Sequence, residues 1–217
     1  MTKVILVRHG QTVWNKVGRY QGQADIELSD LGREQAEYLA NNFPADHIDG
    51  VYASPLERAM DTAAAVAKKF RMDVVPCDEF KEIFFGKWEG LTYEEIHRDW
   101  ADLHDDLFNK PDELRCPSGE GFMDVQARAV KKLEQLVKQH EGQTIVIAAH
   151  GGVNRTMLCH VLGMPLRNMW RIRQDNTAVN IISFFENGKI NVEVINSTAH
   201  LSGDSKLMST GVFGFNK

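Results

Sequence analysis

The chain has 217 residues, 43% of them hydrophobic, enough to bury one sizeable core, and α/β domains of this length commonly stay undivided. A formal net charge of −5 argues against nucleic acid or an anionic membrane surface as the main partner, since both select basic patches, so an anionic substrate must be drawn by local charge. Cys77, Cys116 and Cys159 are odd in number and form no CxxC pair, which fits reduced thiols in a cytoplasmic protein better than a disulfide framework or a cysteine zinc site. No uncharged stretch approaches the ~20 residues of a membrane span, and Arg8 interrupts the first apolar run before a signal peptide develops, so neither insertion nor export is expected.

Val4-Ile5-Leu6-Val7, followed by Arg8-His9-Gly10, reads as a buried strand over Lys3–Val7 that ends on an imidazole. Ser29 is placed to cap a helix with Leu31, Ala36, Leu39 and Phe43 on one face. A short strand over 50–53 precedes Ser54-Pro55, which reads as an N-cap with proline at the first helical position. The helix behind it carries Leu56, Ala59, Met60, Ala63, Ala64 and Ala67, with Arg58 in its first turn. A brief strand at 73–76 leads into residues 79–90, too rich in aromatics and glycine for a plain helix and therefore expected as a loop. Thr92 with Glu95 makes a capping-box pattern for a short helix, and a lid or insert is expected around 92–121.

Phe122, Val125, Ala129, Leu133 and Leu136 recur at helical spacing, placing a long amphipathic helix before a strand at Thr144–Ala149. That strand also ends on a histidine, in Ala149-His150-Gly151-Gly152, and another helix follows. Residues 178–185 and 189–195 flank Asn187-Gly188, a hairpin signal. Strands alternating with helices predict an α/β fold, a three-layer α/β/α sandwich whose mostly parallel sheet has an antiparallel edge strand. A single domain is expected over 1–200, with a loosely held tail over 201–217. His97, His104, Asp105 and Asp106 read as a charged helix face or lid rather than a metal cluster, and His47, His140, His160 and His200 as surface or satisfied core positions. Trp14, Phe84, Phe85, Trp88 and Trp100 read as core aromatics, with an apolar wall for a ring-bearing substrate as the alternative.

Open α/β sheets gather ligand chemistry at the carboxyl ends of their strands, where His9 and His150 fall. Several phosphoryl-transfer and hydrolase signatures are absent. No cysteine has arginine six positions later, and there is no Asp-x-Asp, Walker loop or Gly-x-Ser-x-Gly elbow. Histidine stays as the plausible nucleophile, since a neutral imidazole can attack phosphorus and form a phosphohistidine. Charge on the transferring oxygens needs preorganised donors, for which Arg8, Arg58 and a protonated second histidine are suited. A departing alkoxide needs a proton, which a carboxyl group kept protonated by partial burial can supply. Glu82, among Ile83-Phe84-Phe85, is the candidate, with Glu79 and Glu89 as close rivals.

Arg8-His9-Gly10-Gln11-Thr12 with Asn15 and Gln21-Gly22 resembles the opening motif of the histidine phosphatase superfamily, the phosphoglycerate mutase-like proteins. Ala53-Ser54-Pro55-Leu56-Glu57-Arg58-Ala59, Pro117-Ser118-Gly119-Glu120 and Ala149-His150-Gly151-Gly152 match its later motifs in order. The resemblance implies His9 as phosphorylated nucleophile, Arg8, Arg58 and His150 as phosphoryl ligands, and Glu82 as general acid. Asn15, Gln21, Gly22 and Gly151 would add substrate contacts. It implies no metal and no cofactor, a small phosphorylated metabolite as partner, and a monomer or homodimer. Mutases of the family follow the acid with Arg-His-Tyr-Gly, whereas Ile83-Phe84-Phe85-Gly86 stands here, as in the phosphatase branch. Glu82 to Thr92 is similar to α-ribazole phosphatases and to broad-specificity phosphatases, so α-ribazole 5′-phosphate is one expected substrate. The alternatives are a 2,3-bisphosphoglycerate-dependent phosphoglycerate mutase and a non-catalytic phosphate-binding protein.

Overall fold

The computed structural model of the chain describes residues 1–202 and residue 207; the expectation for the tail falls almost wholly outside these. Six strands, β1 (Thr2–Arg8), β2 (Gly50–Ala53), β3 (Val74–Pro76), β4 (Thr144–Ala149), β5 (Val179–Phe184) and β6 (Ile190–Ser197), form one sheet in the order β3-β2-β4-β1-β5-β6. β1, β4, β2 and β3 run parallel, while β5 is antiparallel to both β1 and β6. Of the six strands β5 alone runs against the others, and β5 with β6 makes the hairpin expected around Asn187-Gly188, so the mostly parallel sheet has its antiparallel pairing at one edge as expected.

The central strands are buried on both faces, which is why they read as unbroken apolar runs. The α-helices in chain order are α1 (Val13–Val17), α2 (Asp30–Asn41), α3 (Glu57–Phe70), α4 (Tyr93–Asn109), α5 (Phe122–Gln139) and α6 (Gly151–Val161). Val4 and Leu6 of β1, with Ile145 and Ile147 of β4, face a core completed by Phe122, Val125, Ala129 and Leu133 of α5 and Met157 and Leu158 of α6. Ile5, Val7, Val146 and Ala148 alternate with them and face the other core. There Leu39 of the helix Asp30–Asn41 and Ala63 and Val66 of the helix Glu57–Phe70 close the layer. This two-residue alternation across one sheet produces the three layers.

Local signals account for most boundaries. Ser29 Oγ accepts from the Gly32 N–H, and Thr92 and Glu95 make the expected capping box. The helix after β2 begins at Glu57 with Leu56 at the cap position and no side-chain cap, because Ser54 Oγ instead accepts from the Leu56 N–H (3.4 Å) within the turn. Arg58 still falls in the first turn.

The helix after Thr92 is long rather than short. It runs Tyr93–Asn109, bends at Trp100 (φ −142°, ψ 45°), and buries Ile96, His104 and Leu107. His104 is therefore not on an exposed charged face; its Nε2 lies 2.7 Å from the Tyr20 hydroxyl oxygen. Residues 79–90 hold two single 3₁₀ turns, Asp78–Phe80 and Gly86–Trp88, anchored by buried Phe80, Ile83, Phe85 and Trp88. No helix among the described residues is long and apolar enough to cross a membrane.

Candidate active site

β1 and β4 are parallel neighbours with Arg8 paired to Ala149, so His9 and His150 leave the sheet side by side at the same end. Their ring centroids lie 5.2 Å apart, tilted by 57°, and both rings are buried. His9 Nδ1 stands 2.7 Å from the Gly10 carbonyl oxygen. A carbonyl only accepts, so the proton sits on Nδ1 and Nε2 carries the lone pair. Burial, then the Arg58 and Arg8 charges, holds the His9 pKa well below 6.5, so the ring is neutral at pH 7.

His150 has the opposite polarity. Its Nδ1 accepts from Arg58 Nε (3.2 Å), so Nε2 bears the hydrogen, and this buried nitrogen has no hydrogen-bond partner among the described residues. Its pKa is likewise well below 6.5, through burial first and Arg58 next, so the second histidine is neutral at pH 7 and offers a single N–H, where the sequence reading expected a protonated ring. One lone pair and one N–H donor therefore stand beside each other on two buried rings.

Two guanidinium groups complete the cage. Arg58 Nη1 donates to the Ala24 carbonyl (2.8 Å) and Nη2 to the Gly22 carbonyl (2.7 Å), and burial lowers its pKa to about 10, leaving it charged at pH 7. Arg8 Nη1 donates to the Gln174 carbonyl (2.6 Å), and its Nε is buried without a hydrogen-bond partner among the described residues. Neither is within ion-pair distance of a carboxylate among the described residues. Buried charges without counter-ions are costly, and an anion seated between them removes the cost.

Glu82 closes the cleft from the other side. Its Oε2 accepts from the Gly152 N–H (3.0 Å), and its Oε1 accepts from the Val153 N–H (3.3 Å) and the Ile83 N–H (3.0 Å), so the carboxylate sits on the first turn of α6. A Cβ on Gly152 would stand 2.5 Å from Glu82 Oε1, and one on Gly151 3.1 Å from Arg155 Nη1 and 3.4 Å from Arg8 Nε. At Gly152 such an atom would displace the carboxylate, and at Gly151 it would press on the two guanidinium groups.

Arg8, His9, Asn15, Gln21, Gly22, Arg58, Glu82 and Gly151 all line one cleft, and His150 stands behind it against His9 and Arg58. Asn15 Oδ1 accepts from the Thr12 N–H (3.1 Å), and Gln21 Oε1 is buried without a hydrogen-bond partner among the described residues. The rival carboxylates lie elsewhere. Glu89 Oε1 accepts from the Gln23 N–H (2.7 Å) behind Gly22, and neither Glu89 nor Glu79 lines the cleft.

The sequence model of the histidine phosphatase superfamily (branch 1) matches residues 4–198. The chain belongs to this superfamily. It is 35% identical to "Phosphoserine phosphatase 1" of Hydrogenobacter thermophilus over 93% of this chain and 95% of that protein. It is 31% identical to "Adenosylcobalamin/alpha-ribazole phosphatase" of Escherichia coli over 89% and 95%. The solved structure of a phosphoserine phosphatase from Entamoeba histolytica in complex with 3-phosphoglyceric acid superposes with a TM-score of 0.82 at 34% identity, over 93% of this chain and all of that one. The chain is a phosphoric monoester hydrolase of the histidine phosphatase superfamily, with its α/β fold.

This histidine phosphatase also places residues in the cleft that sequence reasoning passed over. Ile83, Phe85, Phe122 and Trp170 form its apolar wall, so of the five aromatics weighed earlier only Phe85 reaches it. Arg155 lies 5.0 Å from the Trp170 ring centre, with Nε donating to the Ile172 carbonyl (2.7 Å) and Nη1 to the Gly151 carbonyl (3.0 Å). Burial lowers its pKa to about 9. Its place one helical turn after Gly151 was an available signal. Trp170 arrives from the 3₁₀ turn Leu166–Arg171 and has no local one.

Proposed function

We propose that this histidine phosphatase hydrolyses a small phosphomonoester through a phosphohistidine on His9, without a metal ion or cofactor. The His9 Nε2 lone pair attacks phosphorus as the ester P–O bond breaks, and the departing oxygen takes a proton from Glu82. Water then attacks the phosphohistidine, the N–P bond breaks, Glu82 takes the water proton, and inorganic phosphate leaves. Arg8, Arg58 and the His150 Nε2–H meet the charge on the equatorial oxygens, with Asn15, Gln21 and the backbone at Gly22 and Gly151 as further contacts. The observation that carries this reading is the pair of adjacent imidazoles, one presenting a lone pair and one an unpartnered N–H, between two buried guanidinium groups that lack carboxylate partners.

For the substrate we favour a small phosphomonoester that also bears a carboxylate, such as phosphoserine. Arg155 Nη2 has no hydrogen-bond partner among the described residues, and Arg155 is the cation of the cleft wall outside the phosphate cage. The name of the Hydrogenobacter relative supports this reading, while that of the E. coli relative supports α-ribazole 5′-phosphate. Buried free thiols at Cys77, Cys116 and Cys159 support a reducing, cytoplasmic setting.

The test is kcat/KM in chelator across phosphoserine, 3-phosphoglycerate, α-ribazole 5′-phosphate and p-nitrophenyl phosphate. Phosphoserine should lead by at least ~10-fold, the scale of one charge-assisted contact. Preference for α-ribazole 5′-phosphate reverses the substrate assignment, phosphate retained on an isomerised phosphoglycerate makes the protein a mutase, and anion binding without phosphate release makes it a binding protein.

A further inference from the structure

We propose that Arg128 is the positioning residue of the general acid, an inference that rests on the role assigned to Glu82. Residues 79–85 belong to no strand or α-helix, so no backbone ladder fixes where Glu82 presents its carboxyl. Arg128 supplies that fixation from α5. Its Nη1 donates to the carbonyls of Glu79 (2.7 Å) and Lys81 (2.6 Å), and its Nη2 to the carbonyl of Glu82 itself (3.0 Å). Its Nε and Nη2 also donate to the two carboxylate oxygens of Glu120, each at 3.0 Å. A guanidinium has five N–H donors in a rigid fork, and all five are engaged here, three of them by the acid-bearing segment.

Glu120 extends the clamp. Its Oε2 accepts from the Phe84 N–H (2.8 Å), so the segment is gripped on both sides of Glu82. Gln23 Nε2 adds a second donor to the Glu82 carbonyl (3.1 Å), tying the same point to the chain next to Gly22. Arg128 does not line the cleft, so it acts on the reaction through Glu82 and not on substrate. It follows the family-matching Pro117-Ser118-Gly119-Glu120 run by eight residues and belongs to none of the motifs that marked the site.

A general acid matters in proportion to the basicity of the leaving oxygen, whereas loss of stability lowers all rates alike. The ratio of kcat/KM for a simple alkyl phosphate to that for p-nitrophenyl phosphate therefore separates positioning from structural support. Arg128→Lys keeps the charge but cannot span the fork. It should lower that ratio by about 10- to 100-fold, the scale of a 1 Å misplacement, with thermal unfolding followed in parallel. Glu120→Gln should lower the ratio in the same sense and serves if Arg128→Lys is poorly folded. In a Glu82→Gln background, Arg128→Lys should change the ratio no further.

Equal losses on both esters, or an unchanged ratio in Arg128→Lys while Glu82→Gln lowers it, would overturn the positioning role and leave Glu82 as the acid. An unchanged ratio in Glu82→Gln itself would remove Glu82 from the role, and the assignment to Arg128 with it.

Discussion

Gly152→Ala sets two opposing effects against each other at the point where Glu82 meets α6. Gly152 is helical and not in the left-handed region, so alanine suits the backbone there, and the gain in helix propensity is worth up to about 1 kcal/mol. Against this, the new Cβ would stand 2.5 Å from Glu82 Oε1 and 3.1 Å from Phe122 Cε1. Restoring ordinary contact moves the carboxylate by about 1 Å and strains the bonds it accepts from the Gly152 N–H (3.0 Å) and Val153 N–H (3.3 Å). Hydrogen bonds to a charged group contribute about 1.5–3 kcal/mol each, and water at the cleft replaces part of that loss.

The stability change should therefore be small, about 0–2 kcal/mol destabilising, or a few degrees in Tm. Catalysis should respond far more: a 1 Å misplacement of an acid costs ~100-fold, so kcat/KM for alkyl phosphates should fall by about that factor. Vanadate should still bind at wild-type affinity, since the His9, Arg8, Arg58 and His150 cage is untouched. Steady-state rates on an alkyl phosphate, with vanadate inhibition and thermal unfolding alongside, read all three quantities. A variant with wild-type alkyl phosphatase activity and a raised Tm would show helix propensity acting alone, and would refute the docking of Glu82 on α6.

Further outcomes follow from the cage. Arg58→Lys removes the planar fork that serves His150 Nδ1 and the Gly22 and Ala24 carbonyls, and with it the bond that fixes the His150 tautomer. Losing one such donor costs ~100- to 1000-fold in kcat, and vanadate affinity should fall with it; retained vanadate affinity in a folded variant would contradict the role of Arg58. The histidines also make stability depend on pH. His9 and His150 have folded pKa values well below 6.5 while the unfolded rings titrate near 6.5, so the unfolded chain takes up protons first as pH falls. Stability should decline below pH 6.5, by about 1 kcal/mol per ring down to pH 5.5, and so about 2 kcal/mol for the pair. Burial of His104 and His200, the latter brought down to about 4, acts in the same direction. Urea midpoints at pH 7.5, 6.5 and 5.5 measure this, and a flat profile would show that the rings are not held neutral.

The sheet was legible because β1 and β4 are buried on both faces and write themselves as apolar runs, each ending on a histidine and a glycine. Parallel register then brings His9 and His150 together, which a strand-end reading anticipates without knowing the distance. Ser54-Pro55 misplaced a helix start because the serine hydroxyl serves its own turn, three residues before the helix begins at Glu57. His104 was misread because Asp105 and Asp106 follow it, while Ile96 and Leu107 on either side already marked a buried face. Arg128 carried no signal of its importance, since its partners at 79–82 and 120 are set by tertiary packing, and Arg155 carried only its helical spacing from Gly151, its partner at 172 again being set by tertiary packing. Glu82, by contrast, separates from Glu79 and Glu89 once the cleft is formed around it.

The most direct test is to mix enzyme with a phosphomonoester, quench within the first turnovers under alkaline conditions that preserve phosphohistidine, and locate protein-bound phosphate by peptide mass spectrometry. The covalent account predicts phosphate on His9 at near-stoichiometric burst and none in His9→Ala, which should also lose turnover. Steady release of phosphate with no labelled His9, or a His9→Ala variant that turns over like the wild type, would contradict it.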